Sequence, residues 1–240
     1  MPVTLNAQGG VQNAVLAGLP ERDLESLLGR TERCALERRQ VLSEANEPIR
    51  HVYFPQNGLV SLVNATFNGA TVEVAMVGHE GLIGLPALFG GQGMPLTAVV
   101  QIGGEALRMN AATFREEVRR HDALLERAHL FAHALVVQIA QSAACLHHHS
   151  VSQRCARWLL MTHDRVNEDE FGLTQDMLAQ MLGVRRASVS AAAGRLQAEG
   201  LIRYRRGSIA VVDRAALERA SCECYGIIAA EYERLVRQVP

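Results

Sequence analysis

The residues best suited to chemistry lie close together in the last third of the chain. Along 173–190, LTQDMLAQMLGVRRASVS, apolar positions at Met177, Leu178, Met181 and Leu182 mark the buried face of a short helix. Thr174 is placed to cap it, Gly183 suits the positive φ that would stop it, and Val184 fills the turn. A second helix is expected next, with Val189, Ala192, Ala193 and Leu196 inward and Arg185, Arg186, Ser188, Ser190 and Arg195 outward. Forked cations and short hydroxyls at that spacing reach phosphates and base edges of double-stranded DNA. Thr174 and Gln175, at the start of the first helix, join the candidate contacts. Residues 201–212 read as a hairpin turning near Arg206-Gly207-Ser208, whose Arg203, Arg205 and Arg206 suit backbone phosphates. Two helices about a glycine turn, followed by a hairpin, form the winged helix-turn-helix plan.

Charge is distributed to match. The chain totals 24 basic and 25 acidic residues, a net of −1, and every basic residue is Arg. From Thr174 to Arg214 seven Arg face only Asp176, Glu199 and Asp213, a local net of +4. From Met1 to Asn110 seven Arg face ten acids, a net of −3. Arg donates two hydrogen bonds from one plane and so suits phosphate better than a point charge does.

Other chemistries lack their residues or their spacing. Nucleophile elbows, Walker loops and zinc-protease motifs are missing, so the chain is read as a non-enzyme. Cys34, Cys145, Cys155, Cys222 and Cys224 lack the clustering of an iron–sulfur set. Cys222-Glu-Cys224 is too tight for the usual zinc knuckle, and in a helix its two thiols would point apart as separate buried residues. In His147-His148-His149, neighbouring helical residues diverge by about 100° and do not converge on one ion. No metal and no cofactor are therefore expected. A redox trigger at Cys145 or Cys155 stays open as an alternative.

Elements must position these groups. Strand-like runs at 51–54, 59–63, 71–77, 97–102 and 105–109 alternate with turn formers, which reads as a small antiparallel roll preceded by a short helix near 20–28. From Asn110, a good cap, the pattern turns helical: 111–120, then about 122–148. The long helix carries two apolar stripes, Leu124/Ala128/Phe131/Leu135 and Leu125/Ala132/Ile139/Leu146; one can face the roll and the other a partner helix, the favoured reading, while a solitary core helix would carry the same pattern. Leu124, Phe131, Leu135, Ile139 and Leu146 are the expected dimer contacts. Ser150 and Gln153 fit a capping box opening a helix to about Val166. Hydrophobic residues make up 48% of the chain, which excludes disorder. Uninterrupted apolar runs fall far short of the roughly 20 residues of a bilayer span. The first ten residues lack a signal-peptide layout, so a cytoplasmic location is expected.

In this order, the roll, the long helix and the winged helix-turn-helix resemble the Crp/Fnr family of bacterial transcription regulators across essentially the whole chain. Leu173-Thr174-Gln175, Leu182-Gly183-Val184, Arg186, Ser188-Val189-Ser190, Leu196 and Gly200-Leu201-Ile202 carry the likeness most closely. The resemblance implies an α+β protein with three parts: an N-terminal antiparallel β-roll sensor of the cyclic-nucleotide-binding type (1–120), a dimerisation helix (121–149), and a C-terminal winged helix-turn-helix (150–240). It further implies a homodimer on a palindromic operator, with RNA polymerase and a small-molecule effector as further partners and no membrane. Arg186 is the base reader carried over. Ala187 and Ala191 stand where family members commonly place Glu and a second Arg, so base preference does not transfer. Leu96 stands where nucleotide-binding rolls place their phosphate-binding Arg, ahead of Thr97 and Ala98. A desolvated phosphate would lack its counter-charge there. The roll is thus expected to sense something other than a cyclic nucleotide, with Gly78, Glu80 and Thr97 as the candidate effector pocket. The competing reading is a ligand- or redox-responsive interaction protein in which DNA contact is secondary.

Overall fold

The computed structural model describes residues 10–67, 69–91, 93–166 and 168–237. Residues 1–9, within the stretch whose layout is unlike a signal peptide, lie outside the described residues, as do Asn68, Gln92 and Asn167 of the expected turns and loop.

Two short helices, α1 (Ala14–Ala17) and α2 (Glu21–Leu28), lead into seven strands: β1 (Glu32–Leu36), β2 (Val41–Ser43), β3 (His51–Pro55), β4 (Leu59–Ala65), β5 (Thr71–Val77), β6 (Thr97–Ile102) and β7 (Gly104–Asn110). Helices α3 (Ala111–Arg120), α4 (Asp122–His148) and α5 (Val151–Val166) follow. The remainder is β8 (Glu170–Gly172), α6 (Gln175–Leu182), α7 (Arg186–Ala198), β9 (Ile202–Arg205), β10 (Ser208–Val211), α8 (Arg214–Ala220) and α9 (Cys224–Arg237).

The strands pair antiparallel in two sheets, ordered β1-β7-β3 and β2-β6-β4-β5. Val52, Phe54, Leu59, Val60, Val77 and Val100 are all fully buried, as the expected roll requires. Asn13 staples α1 to this roll. Its side-chain oxygen accepts from the Val15 and Leu16 amides, while its nitrogen donates to the carbonyls of Pro55 and Gly81 at 3.0 and 2.7 Å. Asn110 caps α3 by accepting from the Ala112 amide at 2.8 Å. The Ser150–Gln153 capping box forms reciprocally: the Gln153 amide donates to Ser150 Oγ at 3.3 Å and the Ser150 amide to Gln153 Oε1 at 3.1 Å.

The 27-residue α4 divides its faces differently from the expectation. Leu124 and Phe131 are fully buried and Leu135 is 4% exposed within a single chain, so these three expected dimer contacts belong to the chain's own core. Phe131 sits so close to the roll that a Cβ at Gly81 would run into its ring. Ile139 is half-buried and Leu146 is 46% exposed. On another side α9 lies along α4, with the Tyr232 hydroxyl donating to Gln138 Oε1 at 2.9 Å. The row left outside is Val136, 64% exposed, with the small exposed residues Ala140 and Ala143. By length and composition alone α4 would suffice to cross a membrane, a property the short apolar runs of the sequence do not betray.

Candidate nucleic-acid interface

Local sequence builds the reading head. Thr174 Oγ1 accepts from the Met177 amide at 3.2 Å and opens α6; Gly183, at φ 62°, closes it in the left-handed conformation that L side chains avoid. Val189 and Ala192 are fully buried, and Ala193 and Leu196 nearly so. Arg185, Arg186 and Arg195 are thereby exposed, with Ser188 and Ser190 half-buried. Besides Thr174, three of the candidate contacts are engaged internally. The Ser190 hydroxyl donates to Gln175 Oε1 at 2.6 Å and locks the angle between α6 and α7, while Arg186 meets Asp176 at 3.2 Å on an open surface. Such an exposed pair contributes little and is readily exchanged for a phosphate or base.

The hairpin β9–β10 turns at Gly207, φ 78°, and carries Arg203, Arg205 and Arg206 exposed. A third strand, β8, pairs with β10, so the wing is three-stranded; three residues between polar loops gave no periodicity to find. The Tyr204 hydroxyl donates to the Leu173 carbonyl at 3.3 Å, tying the wing to the start of α6. The head also rests on the roll: Gln180 Nε2 donates to Thr71 Oγ1 on β5 at 2.8 Å.

The expected effector pocket is not assembled as foreseen. Gly78 and Glu80 meet, the Gly78 amide donating to both carboxylate oxygens at 3.1 Å, but the carboxylate is then taken by Arg165 of α5. Glu80 and Arg165 form a buried ion pair, and the Arg165 guanidinium lies 5.1 Å from the centroid of the Tyr232 ring. Thr97 starts β6 opposite Val63, half-buried and apart from that pair. The space beside Leu96 is a cavity of about 20 Å³ lined by Leu62, Leu82, Ile83, Met94 and Leu96, with room for little more than one water. A further link crosses from β5 to α5. Glu73 accepts from Trp158 Nε1 at 2.7 Å and bonds Ser61, and burial pushes its carboxyl up from 4.5 to about 7 against those bonds and the cations Arg157 and Arg165.

The cysteines depart furthest from the sequence reading. Because α9 begins at Cys224, Cys222 lies in the preceding turn and not on a helix, so the two thiols do not diverge. Both meet Cys145 in a small buried cluster, and His149 joins them. His147 and His148 remain exposed. Cys155 is fully buried and its thiol is pushed up to about 12 by burial, which leaves no thiolate to act as a redox trigger.

A two-sheet roll joined through one long helix to a winged helix-turn-helix defines a DNA-binding regulator with a sensing domain. The family model for the cyclic nucleotide-binding domain matches residues 33–121, and that for the Crp-like helix-turn-helix domain matches 153–220. The chain belongs to the Crp/Fnr family of transcription regulators. Among solved structures it is similar to FixK2 from Bradyrhizobium japonicum, at 16% identity and TM-score 0.69 over 80% of this chain and 98% of that one. A putative Crp/Fnr-family regulator from Eubacterium rectale gives 13% identity and TM-score 0.66 over 86% and 96%. The regulator CLP of Xanthomonas campestris, described as responsive to c-di-GMP, gives 15% and 0.63 over 80% and 99%. At these identities the likeness is one of fold. No curated protein matches the chain in sequence.

Proposed function

We propose that this regulator acts in the cytoplasm as a homodimer on a two-fold symmetric duplex site, tuning transcription through contact with RNA polymerase. In this reading residues 1–120 sense, 121–149 dimerise and 150–240 bind DNA. Arg186 reads a base edge from the major groove; Arg185, Ser188 and Arg195 extend the contact along α7, and Arg205 and Arg206 hold phosphates from the wing. Thr174, Gln175 and Ser190 position α6 and α7. The observation that most supports this is the run of exposed guanidiniums on α7 and the wing, set on a helix pair whose inward face is fully packed.

The effector is not a cyclic nucleotide. Leu96 offers no counter-charge to a phosphate, the neighbouring cavity of about 20 Å³ is apolar, and Glu80 is already paired with Arg165.

Selection from a random duplex pool by the purified protein, with no effector added, tests the reading. An enriched palindrome with half-sites about one helical turn apart is the expected result. Enrichment of a lone half-site would remove the homodimer, and failure to bind duplex DNA at all would overturn the function.

A further inference from the structure

Four metal-ligating side chains, from two stretches of chain more than 70 residues apart, converge where α4 ends. Cys145 lies in the last turn of α4 and His149 directly follows it; Cys222 precedes α9 and Cys224 begins it. Cys145 Sγ is 3.5 Å from Cys222 Sγ, and Cys224 Sγ is 3.6 Å from His149 Nδ1. All four donor atoms lie within 4.8 Å of one another.

We propose that Cys145, His149, Cys222 and Cys224 form a tetrahedral Cys3His site for a single zinc ion. Zinc bonds of about 2.3 Å to sulfur and 2.0–2.1 Å to nitrogen give tetrahedral edges of about 3.8 Å between sulfurs and about 3.6 Å between sulfur and nitrogen. The sulfur–nitrogen separation falls at its edge, and the sulfur–sulfur separation of 3.5 Å lies slightly inside its own. The Cys145–Cys222 separation is also far longer than the roughly 2.05 Å of a disulfide, and all five cysteines are free. A donor set this compact encloses one ion and has no room for a polynuclear iron–sulfur core.

The surroundings fit a closed structural site. The three thiols are 0%, 3% and 2% exposed, and they pack on one another instead of joining the main core. His149 presents Nδ1 inward because its Nε2 faces the Glu223 carboxylate at 3.2 Å, the outer partner that fixes ring orientation at metal-bound histidines. Zinc with three thiolates and a neutral imidazole carries a net −1, and the buried Arg154 and Arg157 of α5 act electrostatically on Cys145. Binding balances as zinc(II) plus three thiols and one imidazole giving the complex plus three protons, with no change of oxidation state. The ion would pin α9 to the joint between the long helix and the DNA-binding part.

The test is metal analysis of the full chain purified under reducing conditions, together with cobalt(II) substitution. One ion per chain and a thiolate-to-cobalt charge-transfer band are expected. Cys222→Ser should reduce the metal to background, whereas Cys34→Ser, away from the cluster, should keep it. His149→Cys, which preserves four donors, should retain the ion and strengthen the charge-transfer band even if Cys222→Ser folds poorly. Metal absent from the wild-type chain, metal that survives Cys222→Ser, cobalt binding without the charge-transfer band, or a Cys145–Cys222 disulfide in the freshly isolated protein would each overturn the assignment.

Discussion

Arg165 on α5 holds Glu80 of the roll at 2.8 Å, with both side chains buried. The carboxylate also takes the Gly78 amide, and the guanidinium lies over Tyr232 of α9, so the pair gathers the roll, α5 and the C-terminal helix at one point. Replacing only one member strands a buried charge. Glu80→Ala is expected to cost about 3–5 kcal/mol in urea unfolding, while Glu80→Leu combined with Arg165→Met should regain most of that loss. Losses that merely add in the double variant would show that the two groups are not coupled.

Glu73 makes stability depend on pH. Its folded-state carboxyl sits at about 7, above its ordinary 4.5, because burial outweighs the bonds from Ser61 and Trp158. The folded chain therefore holds this proton more tightly than the unfolded one. The contribution is full below pH 4.5, declines as pH rises towards 7, and is gone above it. The separation is equivalent to at most about 3 kcal/mol, reduced because the residue is partly accessible to solvent. Urea midpoints between pH 4.5 and 8 should fall for the wild type and fall less steeply for Glu73→Gln. Parallel curves would place the slope elsewhere.

The parts legible in the sequence are those set by local spacing. Asn110, Ser150 and Thr174 announce their helices because a cap acts over two or three residues, and Gly183 announces a stop because only one backbone conformation fits there. The inward set of α7 follows from a period of 3.6. What was not legible depends on distant chain. Glu80 finds Arg165 85 residues away and Cys145 finds Cys222 77 residues away, and neither partner alters the pattern around the other. Helical periodicity misplaces Cys222-Glu-Cys224, because Cys222 stands outside the helix that begins at Cys224. Strands β1 and β2 are not legible because the first opens on two charged residues and is mostly exposed, and the second is three residues long.

DNA contacts separate into two kinds by measurement. Arg186→Ala is expected to lose about 1–3 kcal/mol on the selected site and to relax preference at one base pair, without a comparable loss on random duplex. Arg205→Ala with Arg206→Ala should weaken binding on every sequence and lower the salt slope by about 2, one for each phosphate contact. Binding isotherms on both duplexes across a salt series read the two effects together. A uniform loss for Arg186→Ala would make it a phosphate contact, and an unchanged slope for the wing variant would remove that role.

Oligomerisation distinguishes the faces of α4. His129, Val136 and Ala143 repeat every seven residues, with Ala140 between them, and all are exposed in one chain. That row can seat a second copy of the helix, whereas Leu124 and Phe131 are already consumed by the roll. Val136→Glu is expected to weaken the dimer at least about tenfold, since two-fold symmetry brings two uncompensated carboxylates together. Being exposed, it should leave unfolding of the dilute monomer within about 0.5 kcal/mol of the wild type. Leu124→Ala should do the reverse, costing about 2–5 kcal/mol in folding through the cavity it leaves while the association constant of the folded fraction stays put. Sedimentation equilibrium over a concentration series, paired with urea unfolding at the lowest concentration, reads both quantities. A dimer dissociated by Leu124→Ala and indifferent to Val136→Glu would return the interface to the inner stripe.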